Sequence, residues 1–175
     1  MPVLRKTDKG LYCQAADAWI DPQRPVPRAL ITHAHADHAR PGSGEYWAVD
    51  SSEGVLRQRL GREINLHAMP YGKSFRLNQA NISFHSAGHV LGSAQIRLEV
   101  NGEVWVVTGD YKRCHDPSCA PFELVPCDVL ITEATFAMPI YRWQSGEAVA
   151  TEIRNWWQGD CNRPSLLFCY SFGKA

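Results

Sequence analysis

Four side chains able to bind a metal fall within six residues, in His33-Ala34-His35-Ala36-Asp37-His38, directly after the apolar stretch Ala29-Leu30-Ile31-Thr32. A strand presents every second residue on one face, so a continuing extended chain would aim His33 and His35 together at one ion. A turn into a helix beyond His35 would bring Asp37 and His38 round to the same point, where a carboxylate oxygen and an imidazole nitrogen could take a second ion. The spacers are small alanines and an aspartate is interleaved, so the run is not a His-rich tract. It reads as a two-metal centre.

Two further ligands stand in suitable settings downstream. Ser86-Ala87-Gly88-His89-Val90-Leu91-Gly92-Ser93 puts His89 in a glycine-flanked loop after the strand-like Ile82-Ser83-Phe84, and glycine lets backbone approach closely. Val104-Trp105-Val106-Val107-Thr108-Gly109-Asp110 ends an apolar strand on Asp110, whose two oxygens could bridge two ions. A Gly-Asp after a strand is commonly only a turn; its company makes Asp110 a candidate ligand.

The order of these motifs resembles the metallo-β-lactamase superfamily, with Asp21 in Trp19-Ile20-Asp21-Pro22 matching that family's first aspartate in preference to Asp17. Val129-Leu130-Ile131-Thr132-Glu133-Ala134-Thr135-Phe136 resembles the acidic motif that opens the β-CASP branch, whose members cut nucleic acids, and Glu133 carries that match. Tyr111-Lys112-Arg113, Asp116-Pro117, Pro139-Ile140-Tyr141-Arg142-Trp143 and Phe168-Cys169-Tyr170-Ser171-Phe172-Gly173-Lys174-Ala175 resemble the bacterial ligase-associated DNA exonucleases of that branch. The resemblance covers nearly the whole chain. Two further histidine motifs of β-CASP proteins have no counterpart, since His67, His85 and His115 stand in other contexts. One ligand of the second metal, and the histidine that pairs with Glu133, are therefore expected to be missing. The implied fold is an incomplete metallo-β-lactamase αββα sandwich, an α/β architecture, over residues 1–135, with the start of a truncated β-CASP domain over 136–175.

The resemblance implies metal-assisted hydrolysis of phosphodiesters in DNA, by an exonuclease acting in repair. His33, His35 and His89 would hold one ion, Asp37 and His38 a second, and Asp110 would bridge them, the ions lying roughly 3.5 to 4 Å apart. Asp37, His38, Asp110 and Glu133 are the candidate catalytic residues. Asp21 would stand behind the ligands, orienting a histidine or the turn that carries them; an Asp-Pro turn is its plainer role. Histidine-rich ligation favours zinc, with manganese also acceptable to such nitrogen and oxygen donors. Lys112, Arg113 and Arg142 are candidate phosphate contacts, and Tyr141 and Trp143 could stack on bases. A DNA ligase is the partner the resemblance implies. The alternatives are an RNA-processing nuclease of the same branch, a thioester or lactone hydrolase on the same metal core, and a metal-binding fragment without turnover.

Composition permits all of this. The chain has 175 residues, 45% hydrophobic and 21% charged, ordinary for one folded domain. Eighteen basic and 18 acidic residues cancel, so affinity for phosphate must come from local grouping rather than overall charge. The first ten residues lack the apolar core of a signal peptide, and no apolar run approaches the ~20 residues of a membrane span. A cytoplasmic protein with reduced thiols is expected, although Cys114, His115, Cys119 and Cys127 could be imagined around a structural zinc.

The elements that must position the ligands follow from pattern. Strands are expected at Ala29–Thr32, Ile64–Leu66, Ile82–Phe84, Val129–Thr132 and Ser165–Cys169. Ala94, Ile96, Leu98 and Val100 alternate with polar residues before Asn101-Gly102 and Val104 to Thr108, which predicts a tight β-hairpin. Helices are expected over Ser52–Leu60, with Val55 and Leu56 inward and Arg57, Arg59 and Arg62 outward, and over Glu147–Trp157, started by Ser145.

Overall fold

The computed structural model describes residues 2–160, 162–169 and 172. It divides into two units, Met1–Glu133 and Ala134–Ala175.

The first unit is built from two mixed β-sheets. In chain order its strands are β1 (Leu4–Thr7), β2 (Gly10–Cys13), β3 (Ala18–Ile20), β4 (Arg28–Leu30), β5 (Glu45–Val49), β6 (Leu66–Met69), β7 (Phe75–Leu77), β8 (Ala80–Ser86), β9 (Ala94–Val100), β10 (Glu103–Val107) and β11 (Val129–Ile131). The first six form one sheet in sequence order, antiparallel from β1 to β3 and parallel from β3 to β6. The second runs β11-β10-β9-β8-β7, antiparallel except for the parallel pair β10 and β11.

Alternation explains the second sheet. Ile96 and Leu98 of β9 and Ile82 and Phe84 of β8 are fully buried, and they join Ile20, Leu30 and Val49 of the first sheet in one core. Asn101 and Gly102 both take left-handed φ (55° and 84°), as a two-residue hairpin turn requires, and this sets Leu98 opposite Trp105. In the parallel sheet β5 is covered on both faces, Trp47 and Val49 towards the core and Tyr46 and Ala48 buried on the other side, which is usual for parallel strands.

Several expectations need correction. The strand expected at Ile64–Leu66 is instead β6, displaced to Leu66–Met69 by its register with β5, where His67 stacks on Trp47 with rings 4.1 Å apart. The strand expected at Ala29–Thr32 ends at Leu30, because the Thr32 N–H leaves the ladder for the Asp21 carboxylate, 2.8 Å away. β8 is longer than Ile82–Phe84, while β1, β2, β3, β5 and β7 were not anticipated. The helical layers of the sandwich are thin: among the described residues of this unit they comprise a 3-10 turn, Asp50–Ser52, and α1 (Glu53–Leu60), ended by Gly61 at φ 116°. Of its side chains Leu56 is buried and Val55 only partly so.

The second unit contains α2 (Gly146–Gln158), capped by Ser145, whose hydroxyl accepts from the Ala148 N–H at 3.2 Å. No strand forms at Ser165–Cys169. Leu166, Leu167 and Phe168 are exposed there, and no described strand of this unit offers a ladder for their backbone groups. Cys161, Tyr170, Ser171, Gly173, Lys174 and Ala175 lie outside the described residues. No described helix is long and apolar enough to cross a membrane.

Phe84 is fully buried between the sheets and stacks on Phe75 at 5.7 Å. Phe84→Ala should therefore cost about 3–5 kcal/mol in urea unfolding. Leu124→Ala, at a side chain 85% exposed, should stay within about 0.5 kcal/mol of the parent.

Candidate metal centre

The metal-binding candidates collect at one end of the sandwich because the strands that deliver them run the same way. Asp21 follows β3 and the histidine run follows β4, its parallel neighbour. His89 follows β8, Asp110 follows β10 and Glu133 follows β11, and these three strands are likewise co-directional. The two sheets are joined there by the Ala94 N–H, which donates to Thr32 O at 2.7 Å.

Beyond β4 the chain makes a turn rather than the expected helix: the N–H groups of His38 and Ala39 both donate to His35 O, at 3.2 and 2.8 Å. His33 and His35 lie past the strand end, yet they converge, His33 Nε2 standing 2.9 Å from His35 Nδ1. His89 Nε2 is 3.4 Å from the same Nδ1. Asp110 Oδ2 lies 3.8 Å from His33 Nε2 and 3.6 Å from His89 Nε2. These four residues offer ligand atoms all within 4.8 Å of one another, the one such group among the described residues. Four donors about 2.0–2.1 Å from a tetrahedral ion stand about 3.3–3.5 Å apart, so the chain presents a three-imidazole, one-carboxylate set that fits a zinc-like cation.

The other oxygen of Asp110 faces a second set. Oδ1 is 3.4 Å from His38 Nε2, which is 3.7 Å from Asp37 Oδ2. Asp37 is 75% exposed at its side chain, against 0% for His33, so this side is open to solvent while the first is partly enclosed.

Asp21, just past β3, has a left-handed φ of 42°, a conformation aspartate tolerates. Its carboxylate accepts the Thr32 N–H at 2.8 Å on Oδ1, and the Thr32 hydroxyl at 2.6 Å and His38 Nδ1 at 2.7 Å on Oδ2. Thr32 itself escaped the sequence reading, although a hydroxyl ending the apolar run Ala29-Leu30-Ile31 was a visible signal. Gly109 was also missed. Its φ is 55°, and a Cβ there would lie 2.6 Å from Thr32 Cβ, so only glycine lets β10 bring Asp110 this close to β4. Gly88 plays the same part beside His89, where a Cβ would meet Lys112 O at 2.5 Å. The Ser93 hydroxyl accepts the His89 N–H at 3.0 Å and seats that loop.

Charge is distributed unevenly. Burial, aided by the nearby His38, drives the pKa of His33 down to about 2, so the ring is neutral. Burial opposes charge on His38 too, but its bonds to Asp110 and Asp21 prevail and raise it to about 10. The His38 hydrogen bond holds Asp110 down at about 2.

Glu133 lines a cavity of about 300 Å³ shared with Asp21, His38 and Asp110. Lys112 is exposed, and its ammonium lies 2.9 Å from Asp116 Oδ2. Arg113 is exposed, and Arg142 is an exposed residue of the second unit, where Phe136 packs edge-on against Tyr141 and Trp143. Cys114, His115, Cys119 and Cys127 form no metal-binding group, and the described cysteines are free thiols.

No family model matches the chain. Over its whole length it is 32% identical to a probable DNA ligase of Opitutus terrae, of which it spans 18%. Half of it is 34% identical to endoribonuclease YSH1 of Eremothecium gossypii, covering 12% of that protein. A stretch of 43% is 33% identical to an RNase J-like protein of Methanocaldococcus jannaschii, covering 19% of it.

Without metal, His38 is the group whose titration should govern stability on the alkaline side. Its pKa is about 10 folded against 6.5 for a free side chain, so the stabilisation is complete below pH 6.5 and lost as pH rises to 10. On the acid side His33 acts oppositely, since the unfolded chain binds a proton that the buried ring refuses. Thermal unfolding of chelator-treated protein should show a midpoint falling between pH 6.5 and 10, and His38→Gln should flatten that fall.

Proposed function

The chain is metallo-β-lactamase/β-CASP-like, and from this premise we propose that it is part of a metal-dependent nuclease that hydrolyses phosphodiester bonds in DNA, as an exonuclease in repair. The observation that carries the reading is the arrangement of ligands about Asp110: His33, His35 and His89 gather towards one oxygen, and His38, itself 3.7 Å from Asp37 Oδ2, stands 3.4 Å from the other. Two sets about one carboxylate support a pair of divalent cations, zinc first and manganese second. When bound, such cations acidify water and offset charge growing on phosphoryl oxygens.

The chain's own residues have distinct parts in this proposal. His33, His35, His89 and Asp110 hold the enclosed cation, and Asp37 and His38 hold the open one. Asp21 keeps His38 turned inward through the 2.7 Å bond to Nδ1. Glu133, which lines the cavity shared with Asp110 and His38, is the remaining catalytic candidate in this reading. Arg113 is the better phosphate contact of the basic pair after Asp110, since Lys112 is already committed to Asp116. Arg142 is a further phosphate contact, with Tyr141 and Trp143 stacking on bases.

DNA is preferred because the relative matched along the whole chain is named a probable DNA ligase, and a DNA-joining activity, in the same polypeptide or a separate one, is the proposed partner. The ribonuclease relatives favour RNA as the second reading.

The test incubates the full-length protein carrying this chain with end-labelled single-stranded DNA, duplex DNA and RNA, with zinc or manganese. Progressive shortening of DNA is expected. His35→Ala should lower it by at least the 10–100-fold that loss of a mere supporting hydrogen bond costs a metal site. Cleavage of RNA alone would transfer the assignment to an RNA-processing nuclease, and hydrolysis of a thioester alone to a small-molecule hydrolase.

A further inference from the structure

We propose that Thr32 is a positioning residue whose hydroxyl connects the Asp21 carboxylate to His33 Nδ1, so that His33 presents a bare Nε2 to the metal centre. The proposal rests on the metal-centre reading above and adds to it a residue that binds no metal.

The reasoning is a count of protons. A threonine hydroxyl has one hydrogen to donate and lone pairs to accept with. Thr32 Oγ1 lies 2.6 Å from Asp21 Oδ2, 3.1 Å from His33 Nδ1 and 3.4 Å from His38 Nδ1, which makes its shorter bond, 2.7 Å, to Asp21 Oδ2. The Thr32 contact with Asp21 has the length of a charge-assisted O–H···O⁻ bond, so the hydrogen points at the carboxylate. At the His33 contact the hydroxyl can then only accept, and His33 Nδ1 must be the donor. A neutral imidazole carries one N–H, which leaves Nε2 unprotonated. Nε2 is the atom that faces His35 Nδ1 and Asp110 Oδ2.

The hydroxyl is not free to turn elsewhere. The Thr32 N–H is held by Asp21 Oδ1 and its carbonyl by the Ala94 N–H, while its side chain lies against the Gly109 backbone. A β-branched side chain so confined has few rotamers. His33 is only 1% exposed, so solvent does not offer its Nδ1 an easy substitute acceptor. Asp21 also takes His38 Nδ1 directly. One carboxylate thus sets the ring protons of two histidines, one by contact and one through a threonine.

Imidazole nitrogen NMR on metal-free full-length protein reads the ring proton, with His33 assigned by its absence in His33→Gln. Zinc competition against a chromophoric chelator reads affinity, and thermal unfolding reads the fold. In the parent and in Thr32→Ser, His33 should carry its hydrogen on Nδ1. Thr32→Val keeps the shape without the hydroxyl, and should shift the hydrogen towards Nε2 and weaken zinc binding about 10–100-fold. Thr32→Ser should bind zinc within about threefold of the parent. Thr32→Val matching the parent, or Thr32→Ser proving as weak as Thr32→Val, would overturn the proposal, the second outcome marking a packing role. The parent ring alone decides the matter if Thr32→Val does not fold: a hydrogen on Nε2 of His33 refutes the relay. A parent that binds no zinc would sink the metal-centre reading instead, with the ring-proton measurement still judging Thr32.

Discussion

The site depends on how closely the end of β10 can approach the end of β4. Three imidazoles and a carboxylate from three loops must bring their ligand atoms within 4.8 Å, and the two sheets that carry them would otherwise be kept apart by the side chains between them. Gly109 removes the obstruction, because any Cβ there would sit 2.6 Å from Thr32 Cβ. The Ala94 N–H bond to Thr32 O fixes β9 at the same spot. Thr32 is therefore a junction of both sheets, touching Asp21, His33, Ala94 and Gly109. Such a close-packed junction does not yield gradually, so a displacement there would be felt by several ligands at once.

The same junction explains the division of charge. His33 sits where burial keeps it neutral, whereas His38 lies between two carboxylates and keeps its proton to about 10. Asp110 serves both neighbourhoods because its oxygens diverge, one to the enclosed histidines and one to the open side with Asp37. One oxygen of Asp110 thus faces the partly enclosed three-histidine group and the other faces His38 on the more open side.

What could be read from sequence was what depends on near neighbours. The hairpin of β9 and β10 was legible because alternation and Asn101-Gly102 are local signals. The α2 cap was legible because Ser145 and Ala148 are three residues apart. The histidine run announced itself by spacing alone. The strands missed in the first sheet are three to five residues long, and β5 is covered on both faces, which erases alternation. Ser165–Cys169 erred in the other direction: an apolar run has strand propensity, but a strand exists only where another supplies its hydrogen bonds. Thr32 carried only the weak local signal of a hydroxyl closing an apolar run, and Gly109 none, because their importance lies in contacts across 11 and 77 positions of chain, Asp21 for one and each other for the second.

Under the proposed function, the balance of charge constrains how a polyanion could be held. Many basic side chains already have acidic partners: Arg28 with Glu45, Arg57 with Glu53, Arg97 with Glu99 and Lys112 with Asp116. These pairs leave no broad positive field to draw DNA from a distance. Attraction would then be concentrated at the ligand cluster, where the proposed cations would add positive charge. That favours recognition of one phosphate at the site over a long electrostatic track along this part of the protein, and it places the burden of holding the rest of the strand on stacking and on surfaces other than the first unit.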